Sequence, residues 1–251
     1  MRFLYVYTKV MKILVATFLL IGFSGMSAVM LGCVKTTNNP ITPIADTTTT
    51  NATKKYLALG DSYTIGQSVA ASERFPAQVQ QQLVQQNIPL YIVEYIATTG
   101  FTTLNLQSAI NSQNPQGPYD VVSLLIGVND QYQTHDTTNY RNRFASLLSK
   151  AISLAGNRKE RVFILSIPDY SVTPFVPTAN KAQVSKEIDW FNTINYEVAQ
   201  YFGVSYTNIT PSSREAATNA SLIANDGLHP SGLEYKKWAE MLVPKMKLVL
   251  Q

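Results

Sequence analysis

The chain has little charge, one cysteine and only two histidines. Charged residues make up 14% of its 251 residues and hydrophobic residues 45%, a composition that suits a folded domain with a sizeable core. The single cysteine, Cys33, excludes an internal disulfide, so the fold must rest on its apolar core.

Basic patches of the kind that bind nucleic acid are missing as well. The formal net charge is +4, but Arg2, Lys9 and Lys12 account for three of the 20 basic residues, and no acidic residue precedes Cys33. The remainder of the chain therefore has 17 basic residues against 16 acidic ones. A nearly neutral body lacks the electrostatic footprint of a nucleic-acid-binding protein, so we predict no nucleic-acid partner.

The N-terminal segment is the one long apolar run. Residues 13–31 are almost wholly apolar and follow positive charge, which is typical of a membrane anchor or a secretory signal. The run ends in Met30-Leu31-Gly32-Cys33, which resembles a bacterial lipobox with Met30 where leucine is usual. We predict a lipoprotein signal peptide over residues 1–33, lipidation at Cys33, and Met11 as a candidate initiator.

An uncleaved anchor and an ordinary cleaved signal are the alternatives for this segment. All three place the body outside the cytoplasm, and the lipoprotein reading predicts a lipid-anchored protein of the bacterial cell envelope, on the periplasmic side or at the cell surface. Residues 34–54 are rich in Thr, Asn and Pro without an apolar period, which predicts a flexible polar linker.

From residue 55 to residue 251, short apolar runs alternate with segments of helical periodicity. This alternation predicts an α/β domain with a doubly wound parallel sheet, whose ligands bind at the carboxyl ends of the strands. The predicted strands cover 56–60, 90–97, 121–126, 161–167 and 204–206. The predicted helices cover 75–86, 103–112, 138–155, 184–201 and 233–243, the last interrupted by Pro244.

Residues able to support acyl-transfer chemistry follow the first three strands and precede the last helix. Ser62 stands in a tight strand-to-helix turn, where it is either a nucleophile or a helix cap. Gly100 and Asn129 follow the next two strands and could donate N–H groups to an oxyanion, or serve only as turn and cap residues. Asp226 and His229 stand three residues apart across an Asp-Gly turn, a spacing that lets a carboxylate orient an imidazole.

Together these loops resemble the signature blocks of the SGNH (GDSL-like) hydrolase family, which includes lysophospholipase-like esterases. Gly60-Asp61-Ser62-Tyr63 departs from the usual first block only by tyrosine in place of leucine. Gly100 and Asn129 match the second and third blocks, and Asp226-Gly227-Leu228-His229 matches the last. The Gly-x-Ser-x-Gly elbow is absent, which argues against the α/β-hydrolase fold.

The resemblance implies a flavodoxin-like three-layer α/β/α sandwich with a parallel sheet of about five strands. It implies a serine esterase in which Ser62 is the nucleophile, His229 the base and Asp226 its orienting partner. The oxyanion hole would comprise the N–H groups of Ser62 and Gly100 and the side-chain amide of Asn129. It implies no metal or cofactor, and relatives of this size are often monomers.

Three functions follow as hypotheses. The first is hydrolysis of carboxylic esters of lipids or small acyl groups, with a small-molecule ester as the substrate. The second is an esterase acting on acetylated sugars, and the third a non-catalytic envelope lipoprotein that binds its ligand.

Tyr170 and Phe175, after the fourth strand, should border the site and either contact the acyl group or pack their loop. His135 is either a pocket-rim or a surface-loop residue, and Asp61 and Asp130 should make structural hydrogen bonds.

Overall fold

The computed structural model describes residues 53–135 and 137–251. The predicted signal peptide, the Cys33 lipidation site, the candidate initiator Met11 and nearly all of the predicted linker lie outside these residues. The described elements are β1 (Lys54–Gly60), α1 (Ser62–Ile65), α2 (Phe75–Gln85), β2 (Leu90–Ala97), α3 (Thr103–Gln113), β3 (Val121–Leu125), α4 (Val128–Thr134), α5 (Tyr140–Leu154), β4 (Val162–Leu165), α6 (Lys181–Phe202), β5 (Ser205–Thr207), α7 (Thr210–Arg214) and α8 (Gly232–Leu250).

The five strands form one all-parallel sheet in the order β2-β1-β3-β4-β5. Every residue of β3 and β4 is buried, as expected for strands covered on both faces. Helix α2 packs against α8, and α5 packs between α3 and α6. The predicted flavodoxin-like three-layer sandwich is therefore confirmed. The strand order reverses between β1 and β3, so a ligand crevice is expected at their carboxyl ends.

The predicted interruption at Pro244 is wrong, because α8 continues through Pro244 to Leu250. A proline inside a helix removes one backbone hydrogen bond and costs about 3 kcal/mol. The residues beyond it nevertheless keep the helical spacing, and Met246 and Leu250 are buried in the core with Trp238 and Leu242. Packing of this apolar face outweighs the lost hydrogen bond.

Three short helices, α1, α4 and α7, were not predicted. They have four, seven and five residues, too few for a helical period to show in the sequence. Two of them matter for the site, because α1 begins directly after β1 and α4 begins shortly after β3. None of the helices in the part of the chain that the structure describes has both the length and the apolar character needed to cross a membrane.

Candidate active site

Ser62 is placed by a turn that leaves no room for a side chain at Gly60. A Cβ on Gly60 would lie 2.1 Å from Thr64 Oγ1 and 2.4 Å from the carbonyl oxygen of Leu125. Asp61 then caps α1, since its Oδ1 accepts the N–H of Tyr63 at 3.0 Å. Ser62 is the first residue of this helix, where a backbone N–H has no intrahelical acceptor and remains available to an anion.

Asp226 and His229 form a hydrogen-bonded pair within one turn. His229 Nδ1 lies 2.6 Å from Asp226 Oδ2. Asp226 Oδ1 accepts the backbone N–H groups of Leu228 and His229, each at 2.9 Å, so the carboxylate is held by its own loop. With Nδ1 donating to this carboxylate, Nε2 is the ring atom free to accept a proton.

Ser68 is a further partner of Asp226, and nothing in the sequence pointed to it. Its hydroxyl donates to Asp226 Oδ2 at 2.6 Å from a loop 158 residues away in the chain. Partial burial disfavours the charged carboxylate. The hydrogen bonds from Ser68, from the backbone N–H groups of His229 and Leu228, and from the His229 ring outweigh that effect and hold the pKa of Asp226 well below its usual range. Asp226 therefore stays ionised throughout the neutral pH range.

Gly100 and Asn129 line the same crevice. Gly100 has φ +84, a backbone conformation that favours glycine, and open space surrounds the position of its missing side chain. The side chain of Asn129 donates one Nδ2 hydrogen to the carbonyl oxygen of Phe101 at 3.0 Å. This bond orients the amide and leaves its second hydrogen for a ligand.

One glycine, Gly127, and one aspartate, Asp130, fix the chain segments that carry these donors. Gly127 (φ +128) lets the chain turn from β3 into α4, because a Cβ there would lie 2.1 Å from the hydroxyl of Tyr140. Asp130 accepts the backbone N–H of Thr103 at 2.8 Å and its hydroxyl at 2.6 Å. Arg143 pairs with the same carboxylate at 3.2 Å. Asp130 thus ties the start of α3 to α4, in the structural role predicted for it.

A pocket of about 140 Å³ brings the predicted residues together. Ser62, Gly100, Asn129 and His229 all line it, and Asp226 lies behind His229. Three aromatic side chains and a leucine also line it: Tyr132, Tyr170, Phe175 and Leu228. Ser62 is only 5% exposed, so a reaction at its hydroxyl would occur largely shielded from water.

Tyr63, which stands where the family usually has leucine, packs against the imidazole. Its ring centroid lies 5.4 Å from that of His229 and 6.5 Å from that of Trp238. Tyr63 is buried, and the planes of the tyrosine and imidazole rings are tilted by 56°. Tyrosine at this position therefore contacts both His229 and the core residue Trp238.

Asp61 is buried and its second oxygen, Oδ2, has no hydrogen-bond partner among the described residues. Burial raises the pKa of Asp61 to about 8. The nearby charge of Asp130 adds to this rise, and the hydrogen bond from the Tyr63 N–H opposes it. The folded protein therefore holds a proton on Asp61 at pH values where the unfolded chain, with an aspartate pKa of about 3.9, has lost it.

A raised pKa in the folded state predicts a pH-dependent stability. The proton that folded Asp61 holds stabilises the folded state most below about pH 4. This stabilisation is lost as pH rises through the folded pKa of about 8. Asp61→Asn keeps a capping oxygen but cannot ionise. The parent protein should lose stability as pH rises, and Asp61→Asn should not. We therefore expect the free energy of unfolding of Asp61→Asn minus that of the parent to increase by up to about 1.4 kcal/mol per pH unit between pH 5 and 8.

Urea unfolding at half-unit pH steps measures this difference. Asp189→Asn is the control, since the Asp189 carboxylate is 57% exposed and pairs with Arg214 at the surface. Parallel pH profiles for Asp61→Asn and the parent protein would contradict a neutral Asp61.

The sequence matches a known protein family, and the fold matches many solved structures. The family profile described as GDSL-like Lipase/Acylhydrolase matches residues 58–237, well over half of the chain. Comparison with curated protein sequences gave no significant match. The chain belongs to the GDSL-like lipase/acylhydrolase family, and its members are hydrolases of ester bonds, which makes this protein an enzyme of that class.

Solved structures with the same fold are numerous. A psychrotrophic esterase from Pseudoalteromonas sp. is 15% identical, with a TM-score of 0.61, and the match covers 78% of this chain and 98% of that one. A lipase/acylhydrolase from Enterococcus faecalis is 19% identical, with a TM-score of 0.58 and coverage of 77% and 95%. A mutant of an acetyl-xylooligosaccharide esterase from Geobacillus is 18% identical, with a TM-score of 0.58 and coverage of 77% and 94%. These similarities support the fold.

Proposed function

We propose that the protein hydrolyses esters of short acyl groups through a Ser62–His229–Asp226 triad. The observation that carries this proposal is the 2.6 Å pair of His229 Nδ1 and Asp226 Oδ2 at the edge of the pocket that Ser62 lines. A buried serine, an imidazole with a free Nε2 and an ionised carboxylate are the components that nucleophilic acyl transfer requires.

In the proposed reaction, Ser62 Oγ attacks the ester carbonyl carbon while His229 Nε2 accepts the hydroxyl proton. Asp226 stabilises the resulting imidazolium. The tetrahedral oxyanion receives hydrogen bonds from the N–H groups of Ser62 and Gly100 and from Asn129 Nδ2. His229 then protonates the leaving alkoxide, the C–O bond breaks, and the acyl group remains on Ser62. Water, deprotonated by His229, attacks this acyl-enzyme and releases the carboxylic acid with a regenerated serine.

Ser68 has a positioning role in this proposal. Ser68→Ala removes one of the hydrogen bonds that stabilise the charged form of Asp226, so the imidazolium formed during catalysis has a less firmly held partner. We expect kcat to fall by about three- to tenfold with KM nearly unchanged, equivalent to about 1 kcal/mol of lost stabilisation.

Initial rates on p-nitrophenyl acetate measure the effect. Ser112→Ala, at the exposed far end of α3, is the matched serine control. If Ser68→Ala has the same kcat as that control, the Ser68–Asp226 hydrogen bond contributes nothing to catalysis.

The size of the pocket supports a short acyl group. At about 140 Å³ it resembles the engineered cavity of roughly 150 Å³ that holds a single benzene molecule. A p-nitrophenyl ester series from acetate to dodecanoate tests this proposal. We expect kcat/KM to fall at least tenfold between butyrate and octanoate, an effect in line with a loss of about 1.4 kcal/mol. A preference for long acyl chains would favour lipid esters instead.

A sugar ester is the second candidate substrate. The likeness to the Geobacillus acetyl-xylooligosaccharide esterase fits it, as does the small pocket.

For the N-terminal segment we propose lipidation at Cys33 and attachment to a membrane of the cell envelope. The apolar residues 13–31 and the lipobox-like Met30–Cys33 support this proposal. Cys33→Ala should then abolish incorporation of labelled palmitate and leave the chain at the mass of the unprocessed precursor.

A further inference from the structure

The ring of Tyr170 lies between the pocket of Ser62 and a second cavity. This second cavity has a volume of about 290 Å³, against about 140 Å³ for the pocket. Tyr170 lines both spaces and is only 5% exposed, so its side chain is enclosed by them instead of being turned to solvent. A buried side chain that borders two cavities separates them where it stands. Tyr170 is therefore a partition between the two spaces.

Tyr132 and Phe175 line both spaces as well, but they are surface residues. Tyr132 is 54% and Phe175 47% exposed. The centroid of each ring lies 6.4 Å from that of Tyr170, so both rings pack against the partition. Of these three aromatic residues, Tyr170 is the one in the interior, and removal of its ring should change the shape of the pocket most.

The hydroxyl of Tyr170 is anchored by a buried amide. It donates to Gln131 Oε1 at 2.7 Å, and Gln131, on α4, is fully buried. Gln131 Nε2 donates in turn to Glu187 Oε2 on α6 at 2.6 Å. The amide cannot flip without losing both hydrogen bonds, because its oxygen must accept and its nitrogen must donate. Gln131 therefore holds the tyrosine hydroxyl at one position.

Glu187, at the far end of this chain of hydrogen bonds, is itself held by two more side chains. Gln183 Nε2 donates to Glu187 Oε1 at 2.6 Å, and His135 Nδ1 lies 2.7 Å from Oε2. Burial disfavours the charged carboxylate, but the hydrogen bonds from His135, Gln183 and Gln131 outweigh burial and lower the pKa of Glu187. Glu187 is therefore an ionised, fixed acceptor for Gln131. His135 lines the second cavity with its side chain 58% exposed, which places it at the rim of that cavity.

The backbone around Tyr170 is fixed as well. Asp169 Oδ1 accepts the N–H of Ser171 at 2.9 Å, and Asp169 Oδ2 accepts Arg214 Nε at 2.8 Å. The hydroxyl of Thr173 donates to the carbonyl oxygen of Tyr170 at 2.8 Å. With its main chain and its hydroxyl both held, the ring of Tyr170 acts as a rigid wall.

We propose that Tyr170 sets the upper limit on acyl length by closing the pocket of Ser62 against the second cavity, and that Gln131 positions its ring. This inference rests on the proposed function and names the residues that determine its acyl specificity. An acyl group on Ser62 would fill the pocket and meet the ring of Tyr170. Loss of the ring would join the pocket to the second cavity, whose lining includes Val176 and Val184. Methylene groups of a longer acyl chain would then be buried there, and each favours binding about fourfold.

The ratio of kcat/KM for p-nitrophenyl octanoate to kcat/KM for p-nitrophenyl acetate tests the partition. We expect Tyr170→Ala to raise this ratio at least about tenfold over the parent, the gain from burying two or more further methylene groups. The ratio does not depend on the folded fraction, because both esters are assayed on the same protein. If Tyr170→Ala fails to fold, Tyr170→Val, which removes less of the side chain, should raise the ratio at least about threefold.

Tyr119→Ala is the matched control. Tyr119 is also a buried tyrosine whose hydroxyl donates to another side chain, that of Glu94, but it precedes β3 and so lies at the opposite end of the strand from the pocket. Its removal should leave the ratio unchanged. A ratio in Tyr170→Ala equal to that of the parent would overturn the partition and show that Tyr170 only packs its loop.

Gln131→Leu tests the positioning role. It should raise the ratio roughly two- to fivefold, since a ring without its hydroxyl anchor closes the pocket less firmly. In the Tyr170→Ala protein the same substitution should leave the ratio unchanged, because no ring remains to be positioned. A residue that only stabilises the fold would change the ratio in neither protein. No change in the parent, or an equal rise in both proteins, would contradict positioning through Tyr170.

A binding measurement separates this proposal from the proposed function. Octanoate should bind at least about tenfold more tightly to Ser62→Ala/Tyr170→Ala than to Ser62→Ala, and acetate about equally to both. Tighter octanoate binding in a protein whose parent hydrolyses no ester would remove the proposed function and retain the partition. Equal octanoate binding, or an unchanged ratio in a protein that hydrolyses p-nitrophenyl acetate, would overturn the partition and leave the proposed function in place.

Discussion

Ser62→Ala is expected to lower kcat for p-nitrophenyl acetate by about 10⁴- to 10⁶-fold, because loss of the nucleophile ends the acyl-enzyme route. Residual turnover would come from the oxyanion donors and the pocket alone. The thermal midpoint should change little, since the substitution removes one hydroxyl from a pocket wall and leaves the Asp61 cap of α1 in place.

The companion variants make this prediction specific. His229→Ala should have a similar effect, and Ser62→Ala/His229→Ala should be no worse than either single variant, because residues of one catalytic unit are strongly non-additive. Ser146→Ala, an exposed serine of α5, is the control for a serine removed elsewhere. A Ser62→Ala protein with a tenth or more of the parental kcat would contradict the triad.

Asn129→Ala is expected to lower kcat by about 10²- to 10³-fold with little change in KM, the effect of losing one oxyanion donor. The reason is geometric: one Nδ2 hydrogen is engaged by the carbonyl of Phe101, and the second is left for charge that develops during the reaction. The ground-state ester carries less charge on its carbonyl oxygen, so substrate binding should depend on Asn129 much less than the transition state does.

The control for this variant is Asn111→Ala, which removes an exposed amide from α3. A urea unfolding curve should accompany the kinetics, because Asn129→Ala also leaves the carbonyl of Phe101 without its donor. A loss of less than threefold in kcat would show that Asn129 does not stabilise the transition state. If the variant were half unfolded in the assay, only about a twofold loss of kcat would come from stability, and the remainder would be assigned to the transition state.

The sheet and the meeting of the five candidate site residues at one pocket were predictable, because each rests on a local pattern. Fully buried parallel strands such as β3 appear as unbroken apolar runs, and each predicted residue stands a few residues after the end of a strand or just before α8. The topology then brings these loops to one edge of the sheet. The order of Ser62, Gly100, Asn129 and His229 sufficed for the family resemblance, which the family match confirmed.

The partners of these residues were not predictable, because they depend on contacts between distant parts of the chain. Ser68 meets Asp226 across 158 residues, and no motif marks a serine in a loop as a carboxylate ligand. His135 reaches Glu187 on α6 in the same way, so the sequence left its role open. Pro244 misled the prediction of α8, since a local helix-breaking rule cannot weigh the buried apolar face that follows it.

Mass spectrometry after treatment with a fluorophosphonate tests the central claim most directly. The probe forms a covalent bond with a serine only where a base activates it and an oxyanion hole receives the phosphoryl oxygen. We predict one adduct per chain on the peptide that contains Ser62, and strongly reduced labelling in His229→Ala. An adduct on a different residue, or no adduct in protein that hydrolyses p-nitrophenyl acetate, would contradict the assignment of Ser62 as the nucleophile.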